Sequence, residues 1–372
     1  MPPLPIGKVG EIMAGGFDQL GWHWWPTENA INSRVYDGRA GCVLHGKCMF
    51  GCPLGAKSST DVTYWPKALA NGAELITRAR AQEISVDRRG RARGVVYFDR
   101  EGRLQEQQAS VVVVCCNGVG TPRLLLNSKS SLFPDGLANS SGNVGKYLMM
   151  HPYRFVDGLM AERTDGHLGA MGGVIFSQQF YETDYARGFA RGYTLLVDRT
   201  FGPLTHALWG DVPWGRDHHV TMRRHFPHTI GMTVMSDDLP EERNRVELDG
   251  EVTDSNGIPA PRVIYRVGDN TEAMLQHGAE RTHQVLEAAG AAKILDGGVP
   301  WFGSHLLGTA RMGSDPLISV VNAWNQAHDV PNLFVVDGSS FTTSGGVNPT
   351  ATIGALALRA ADGIWDRRGE WP

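Results

Sequence analysis

The segment Ser304-His305-Leu306-Leu307-Gly308-Thr309-Ala310-Arg311-Met312-Gly313 sets a histidine beside an apolar pair and a glycine turn. A partly buried imidazole in that setting can take a hydroxyl proton near neutral pH, although a hydrogen-bonded core histidine fits the same spacing. Further on, Gly345-Gly346-Val347-Asn348-Pro349-Thr350 leads into a helix. Its unpaired N–H groups and positive dipole end suit an anion or an electron-rich ring edge, and without a ligand they make a turn and a cap. Between these two, Val335-Val336-Asp337-Gly338-Ser339-Ser340 places a carboxylate and a glycine at the carboxyl end of a buried strand, where open α/β sheets bind ligands. A third kind of chemistry is written in Cys42, Cys48 and Cys52, a C-x5-C-x3-C pattern closed by Pro53. Three thiolates at this spacing suit an iron–sulfur centre, three thiolates with His45 suit zinc, and three reduced, buried thiols suit neither.

The elements that must hold these groups can be read from periodicity. Residues 1–40 are rich in Pro and Gly, with tryptophans at 22, 24 and 25, and read as an irregular lead-in. A helix is expected over Ser59–Asn71, ended by Gly72. Strands are expected over Glu74–Val86, Ala92–Asp99 and Gln108–Cys116, as a meander followed by a strand apolar on both faces that fits the interior of a parallel sheet. Cys115 and Cys116 close that strand as core residues. Gly118-Val119-Gly120-Thr121-Pro122 then opens a Leu-rich helix, with Pro122 near its start. Over 151–299 the strand-like runs Tyr193–Val197, Thr229–Met235 and Arg262–Val267 describe a mostly antiparallel region, followed by a helix over Asn270–Ala289. Trp209 and Trp214 could stack on a sugar or simply pack. A strand over Leu333–Asp337 and a helix over 351–367 complete the chain.

Composition narrows the function. With 372 residues, 42% of them hydrophobic, the chain can bury a large core in two domains, and a net charge of -4 offers no field for nucleic acid or an anionic membrane. No apolar run is long enough for a transmembrane segment, and the opening residues lack the apolar stretch of an export signal. As written the chain reads as cytoplasmic, or as periplasmic or membrane-associated if its natural start lies upstream.

Taken together, Asn117–Ser128, His305–Gly313 and Val335–Asp362 resemble the glucose–methanol–choline (GMC) oxidoreductases, and the cysteine segment resembles the sugar and gluconate dehydrogenase flavoproteins among them. The resemblance implies a mixed α/β (α+β) fold: an FAD-binding domain from 1–150 and 300–372, and a substrate domain over 151–299 built on antiparallel sheet with flanking helices. It implies FAD-dependent oxidation of an alcohol, sugar or polyol, with hydride passing to the flavin, His305 as base and Asn348 beside it. It assigns cofactor contacts to Asp337, Gly338, Asn348, Pro349, Thr350, Ala81, Gly118 and Thr121. It also implies a three-iron cluster on Cys42, Cys48 and Cys52, and an electron-accepting protein such as a cytochrome. The G-x-G-x-x-G turn that opens a dinucleotide-binding fold is missing. The expected alternatives are therefore a catalytically incomplete fragment, one component of a two-chain assembly, or an oxidase that uses oxygen.

Overall fold

The computed structural model describes residues 1–199, 202–209, 212–298 and 303–371. Contacts divide the chain into two compact units. The first comprises Met1–Leu75, Pro152–Ser236 and Glu272–Trp301, and the second Ile76–His151, Asp237–Thr271 and Phe302–Pro372. Residues 1–75 thus group with the first unit and 237–271 with the second.

The first unit is built on a six-stranded sheet. Its strands are β1 (Trp25–Pro26), β6 (Tyr153–Met160), β7 (Gly173–Ser177), β8 (Tyr193–Asp198), β9 (Thr229–Ser236) and β12 (Ala291–Asp296), in the order β1-β7-β8-β9-β6-β12. Every neighbouring pair is antiparallel, as the reading of 151–299 anticipates. Helices α4 (Pro203–Trp209) and α5 (His218–His225) are not anticipated by the sequence reading, whereas α6 (Asp269–Ala288) lies where a helix is expected and ends two residues before Gly290, whose φ is +83°.

The irregular lead-in is corrected here: α1 (Gly7–Gln19) is a core helix. Val9, Met13 and Phe17 repeat at i, i+4 and i+8 and are fully buried among Val156, Ile175, Leu195, Met274 and Leu286. This apolar stripe draws 1–75 into the first unit. Its four glycines, each worth up to about 1 kcal/mol less than alanine in a helix, hide it from composition. Two have packing reasons: a Cβ on Gly10 would meet Val174 at 3.0 Å, and one on Gly16 would meet the Val285 carbonyl at 2.8 Å. Helix α2 (Thr60–Ala70) lies where expected, with Asn71 as its C-cap.

The second unit holds an antiparallel meander of β2 (Arg80–Val86), β3 (Ala92–Phe98) and β4 (Leu104–Gln108), and a parallel pair of β5 (Val112–Val114) with β13 (Leu333–Val335). Helix α3 (Asn117–Asn127) packs against β2 and against the hairpin of β10 (Arg245–Thr253) and β11 (Pro259–Ile264), which explains why 237–271 joins this unit. The parallel pairing of β5 is as read, but its burial alternates and Val113 is 45% exposed. Cys115 and Cys116, expected in the core, are exposed beyond the end of this two-stranded ladder. Helix α7 (Thr350–Asp366) closes the unit. Among the described residues no helix is long and apolar enough to cross a membrane.

Since Phe17 fills the centre of the first core, Phe17→Ala is expected to destabilise the protein by about 3–5 kcal/mol. Tyr64→Ala on the exposed face of α2 should stay within about 0.5 kcal/mol. Urea unfolding followed by tryptophan fluorescence measures both.

Candidate active site

The segment bearing His305 is a strip of backbone held on both sides. On one side Leu307 exchanges N–H···O bonds with Met149, both at 3.0 Å, while Gly145 N donates to Thr309 O at 2.8 Å and His151 N to Ser304 O at 3.2 Å. On the other, Gly308 N donates to Gly338 O, Ala310 N to Ser339 O and Met312 N to Ser340 O. Gly118 and Gly338 let the strip lie close. A Cβ on Gly118 would come within 2.6 Å of the Leu306 carbonyl, and one on Gly338 within 2.9 Å of the same oxygen.

Helix α3 supplies a further anchor through its proline. Pro122 is not near the first turn but five residues into the helix, and it cannot donate to the Gly118 carbonyl four residues back. That carbonyl instead accepts the Thr309 hydroxyl at 2.8 Å. Asn117 starts the helix with φ +65°, and its side chain accepts from Val119 N and Gly120 N.

His305 itself has φ +56°, a conformation that is costly for any residue with a Cβ. Its Nδ1 lies 2.7 Å from Nδ1 of His151, a fully buried residue, with the two rings edge to face. Burial pushes the His305 imidazole down to about 4, helped by His151, and burial pushes His151 down to about 4 as well, against the Ser344 and Gly345 carbonyls. Both rings are therefore neutral at pH 7. Nε2 of His151 lies 3.3 Å from the Ser344 carbonyl. Ser344 is braced in turn: its hydroxyl donates to Asp237 at 2.6 Å and accepts from Asp238 N at 2.7 Å. The Asp238 carboxyl takes Met150 N, the Tyr265 hydroxyl and the Thr271 hydroxyl, and burial raises it to about 6. The sequence reading misses His151 and this carboxylate brace. A histidine between an apolar run and Pro152 was the available signal.

The other expected site residues separate into two groups. The Asp337 carboxylate receives Ser339 N and the Ser339 hydroxyl on Oδ1, and Asn117 N and the Thr121 hydroxyl on Oδ2. These donors fill roughly all four of its lone-pair sites, so any contact of Asp337 with a cofactor falls to its backbone. Thr121 and Gly118 likewise serve the protein itself. The second group faces outward. Asn348 and Thr350 are exposed, α7 begins after Pro349 without a side-chain cap, and Ala81 is exposed where β2 bulges opposite β3. Open N–H groups at that helix start and open backbone at Ala81 fit a flavin ring edge and an adenosine, respectively. Asn348 sits four residues after Ser344, so one loop carries it and the carbonyl facing His151.

The cysteines do not fit the expected cluster. Among the described residues no group of three or more His, Cys, Asp or Glu side chains is arranged to hold a metal ion. The sulfurs instead serve backbone donors: Leu44 N approaches Cys42 at 3.4 Å and Met171 N approaches Cys48 at 3.4 Å, while Lys57 N leads the groups that lower the Cys52 thiol. Trp214 is 75% exposed and stacks on His218, and the side chain of Trp209 lies outside the described residues.

Thr309 is fully buried and is the donor to the carbonyl that Pro122 leaves open. Thr309→Val keeps its shape and strands that carbonyl, so a loss of about 1–3 kcal/mol is expected in urea unfolding. A loss below about 0.5 kcal/mol would remove this anchor from the account.

Comparison with known proteins agrees with this architecture. Models of the GMC oxidoreductases match residues 8–153 and 240–357. The chain is 45% identical over 371 residues to 2-methyl-1,2-propanediol dehydrogenase of Mycolicibacterium austroafricanum, covering 98% of this chain and 67% of the relative. It is 31% identical over 371 residues to the fructose dehydrogenase large subunit of Gluconobacter japonicus, with the same coverage of each. The chain thus spans about two thirds of the length of these relatives. Among solved structures, pyridoxine 4-oxidase from Mesorbium loti shares the fold, with a TM-score of 0.65 at 15% identity, over 98% of this chain and 71% of that one. With its mixed α/β architecture and these matches, the chain belongs to the GMC oxidoreductase family.

Proposed function

We propose that this chain carries the substrate-facing part of an FAD-dependent oxidoreductase that oxidises a CH–OH group, with His305 as the base. The observation that carries the reading is the neutral imidazole of His305, fixed on a backbone strip clamped by Gly118 and Gly338. Relatives named for 2-methyl-1,2-propanediol and fructose favour a small diol, polyol or sugar as substrate.

FAD, when bound, supplies the acceptor for the hydride. The residues suited to hold it are Asn348, Pro349 and Thr350 at the uncapped start of α7, the Asp337-Gly338 backbone, and Ala81 toward the adenosine. The remaining chemistry falls to His305 and Asn348. The lone pair of His305 takes the hydroxyl proton, so that no positive charge is left on the oxygen as the C–H bond breaks. The amide of Asn348 can hold that oxygen without competing for its proton, which orients the carbinol carbon. Electrons leaving the enzyme would pass to a separate acceptor protein, such as a cytochrome. The name "large subunit" of the fructose dehydrogenase relative agrees with work in an assembly.

Two measurements test the reading in the flavin-loaded enzyme. His305→Ala is expected to slow flavin reduction by substrate roughly 10²–10⁴-fold, and an unchanged rate in stopped-flow would overturn the base assignment. The pH profile follows from the depressed pKa. A base that protonates near 4 keeps its lone pair through weak acid, so kcat/KM should hold steady from pH 7 to about 5.5. A tenfold fall across that range would mark a base with an ordinary imidazole pKa.

A further inference from the structure

Two imidazole nitrogens facing each other at 2.7 Å can bond in one way only, with one carrying the proton and the other a lone pair. The third partner decides which. If His151 Nδ1 carried the proton, neutral His151 would present a bare Nε2 to the Ser344 carbonyl at 3.3 Å, setting lone pair against lone pair in a buried site. If His305 Nδ1 carries it, His151 Nε2–H donates to Ser344 O and His151 Nδ1 accepts from His305. Both of these contacts are then complementary. The doubly protonated forms are disfavoured, since burial opposes charge on both rings.

We infer that His151 is a positioning residue that locks His305 in the Nδ1–H tautomer, so that Nε2 is the nitrogen bearing the basic lone pair. This rests on the reading of His305 as base. The brace behind His151 gives the lock its stiffness: Asp238 ties Met150, the preceding residue, to Tyr265 and Thr271, and Asp237 with Asp238 N holds Ser344, whose carbonyl sets the proton on His151. The assignment runs from carbonyl to imidazole to imidazole, with no net charge moved.

The tautomers can be read directly in the chain labelled with 15N-histidine, from long-range 1H–15N correlations at pH 7, assigned with His151→Gln and His305→Gln. The expected pattern is Nδ1–H for His305 and Nε2–H for His151. The reverse pattern, or a protonated ring at either position, would overturn the proposal. In His151→Gln the amide can still accept from His305 and donate to Ser344, so His305 should stay Nδ1–H and kcat should fall within about threefold. In His151→Leu the acceptor is gone: His305 should become a mixture of tautomers, with kcat lowered about tenfold and KM little changed, because part of the enzyme then carries the wrong nitrogen bare. A His151→Leu variant in which His305 remained Nδ1–H would also refute the lock. The two readings fail separately. A rate unaffected by His305→Ala removes the base but leaves the tautomers as measured, whereas inverted tautomers with an inactive His305→Ala remove the lock and leave the base.

Discussion

The arrangement of the second unit depends on the absence of two side chains. The Leu306 carbonyl lies where a Cβ on either Gly118 or Gly338 would collide with it. Because both positions are glycine, the strip from Ser304 to Met312 can lie between the loop at 145–151 and the turn at 338–340 and hydrogen-bond to each. Helix α3 is tied in by the Gly118 carbonyl, which Pro122 frees from the helix and Thr309 takes up. His305 inherits its conformation from this double ladder. Its positive φ costs about 1–2 kcal/mol, a strain that several flanking hydrogen bonds can sustain where a loop held at one side could not.

That rigid strip sets the electrostatics. The loop that pairs with Leu307 is the one that ends in His151, so the ladder at Met149 brings the two imidazoles together. Leu148, Met150 and Val246, with Leu306 against them, form an apolar cluster that includes chain neighbours of both histidines. Burial then acts on each ring in the same sense, and a proton on one would meet the other at close range. The pair behaves as a single neutral unit rather than as two independent titrating groups. The Asp237 carboxyl takes the Ser344 hydroxyl and the Asp238 carboxyl takes Met150 N, hydrogen bonds that fix the geometry around the pair.

Much of this was legible in the sequence wherever a period or a turn residue spoke clearly. The helices at 60–70, 269–288 and 350–366, the strands at 193–198 and 229–236 and the parallel pairing of Val112–Val114 follow from such signals. The failures share a physical cause, in that a residue's type does not reveal its neighbours. Glycines in α1 read as breakers until Val285 is seen packed where a Cβ of Gly16 would be. A β-branched run reads as buried on both faces until one side of a two-stranded ladder leaves Val113 open. Closely spaced cysteines read as a metal site until the sulfurs are found serving backbone N–H groups, that of Cys48 from as far away as Met171. His151 escaped notice because its significance lies in a partner 154 residues away.

The motif residues therefore need sorting before they are given a role. Asp337 and Thr121 sit in a segment whose family resemblance assigns them to the cofactor, yet their polar atoms are consumed in joining α3 to the end of β13. Asn348, Thr350 and Ala81 come from equally short matches and keep their surfaces open. A cofactor contact through a side chain requires an atom that the fold has not already used. By that criterion the first pair earns its place by holding the scaffold, and the second group by what it leaves available. His305 belongs to both: the strip that carries it is bound into the ladder on two sides, and its ring is held by His151 in a fixed orientation, which is the combination that a positioned base requires.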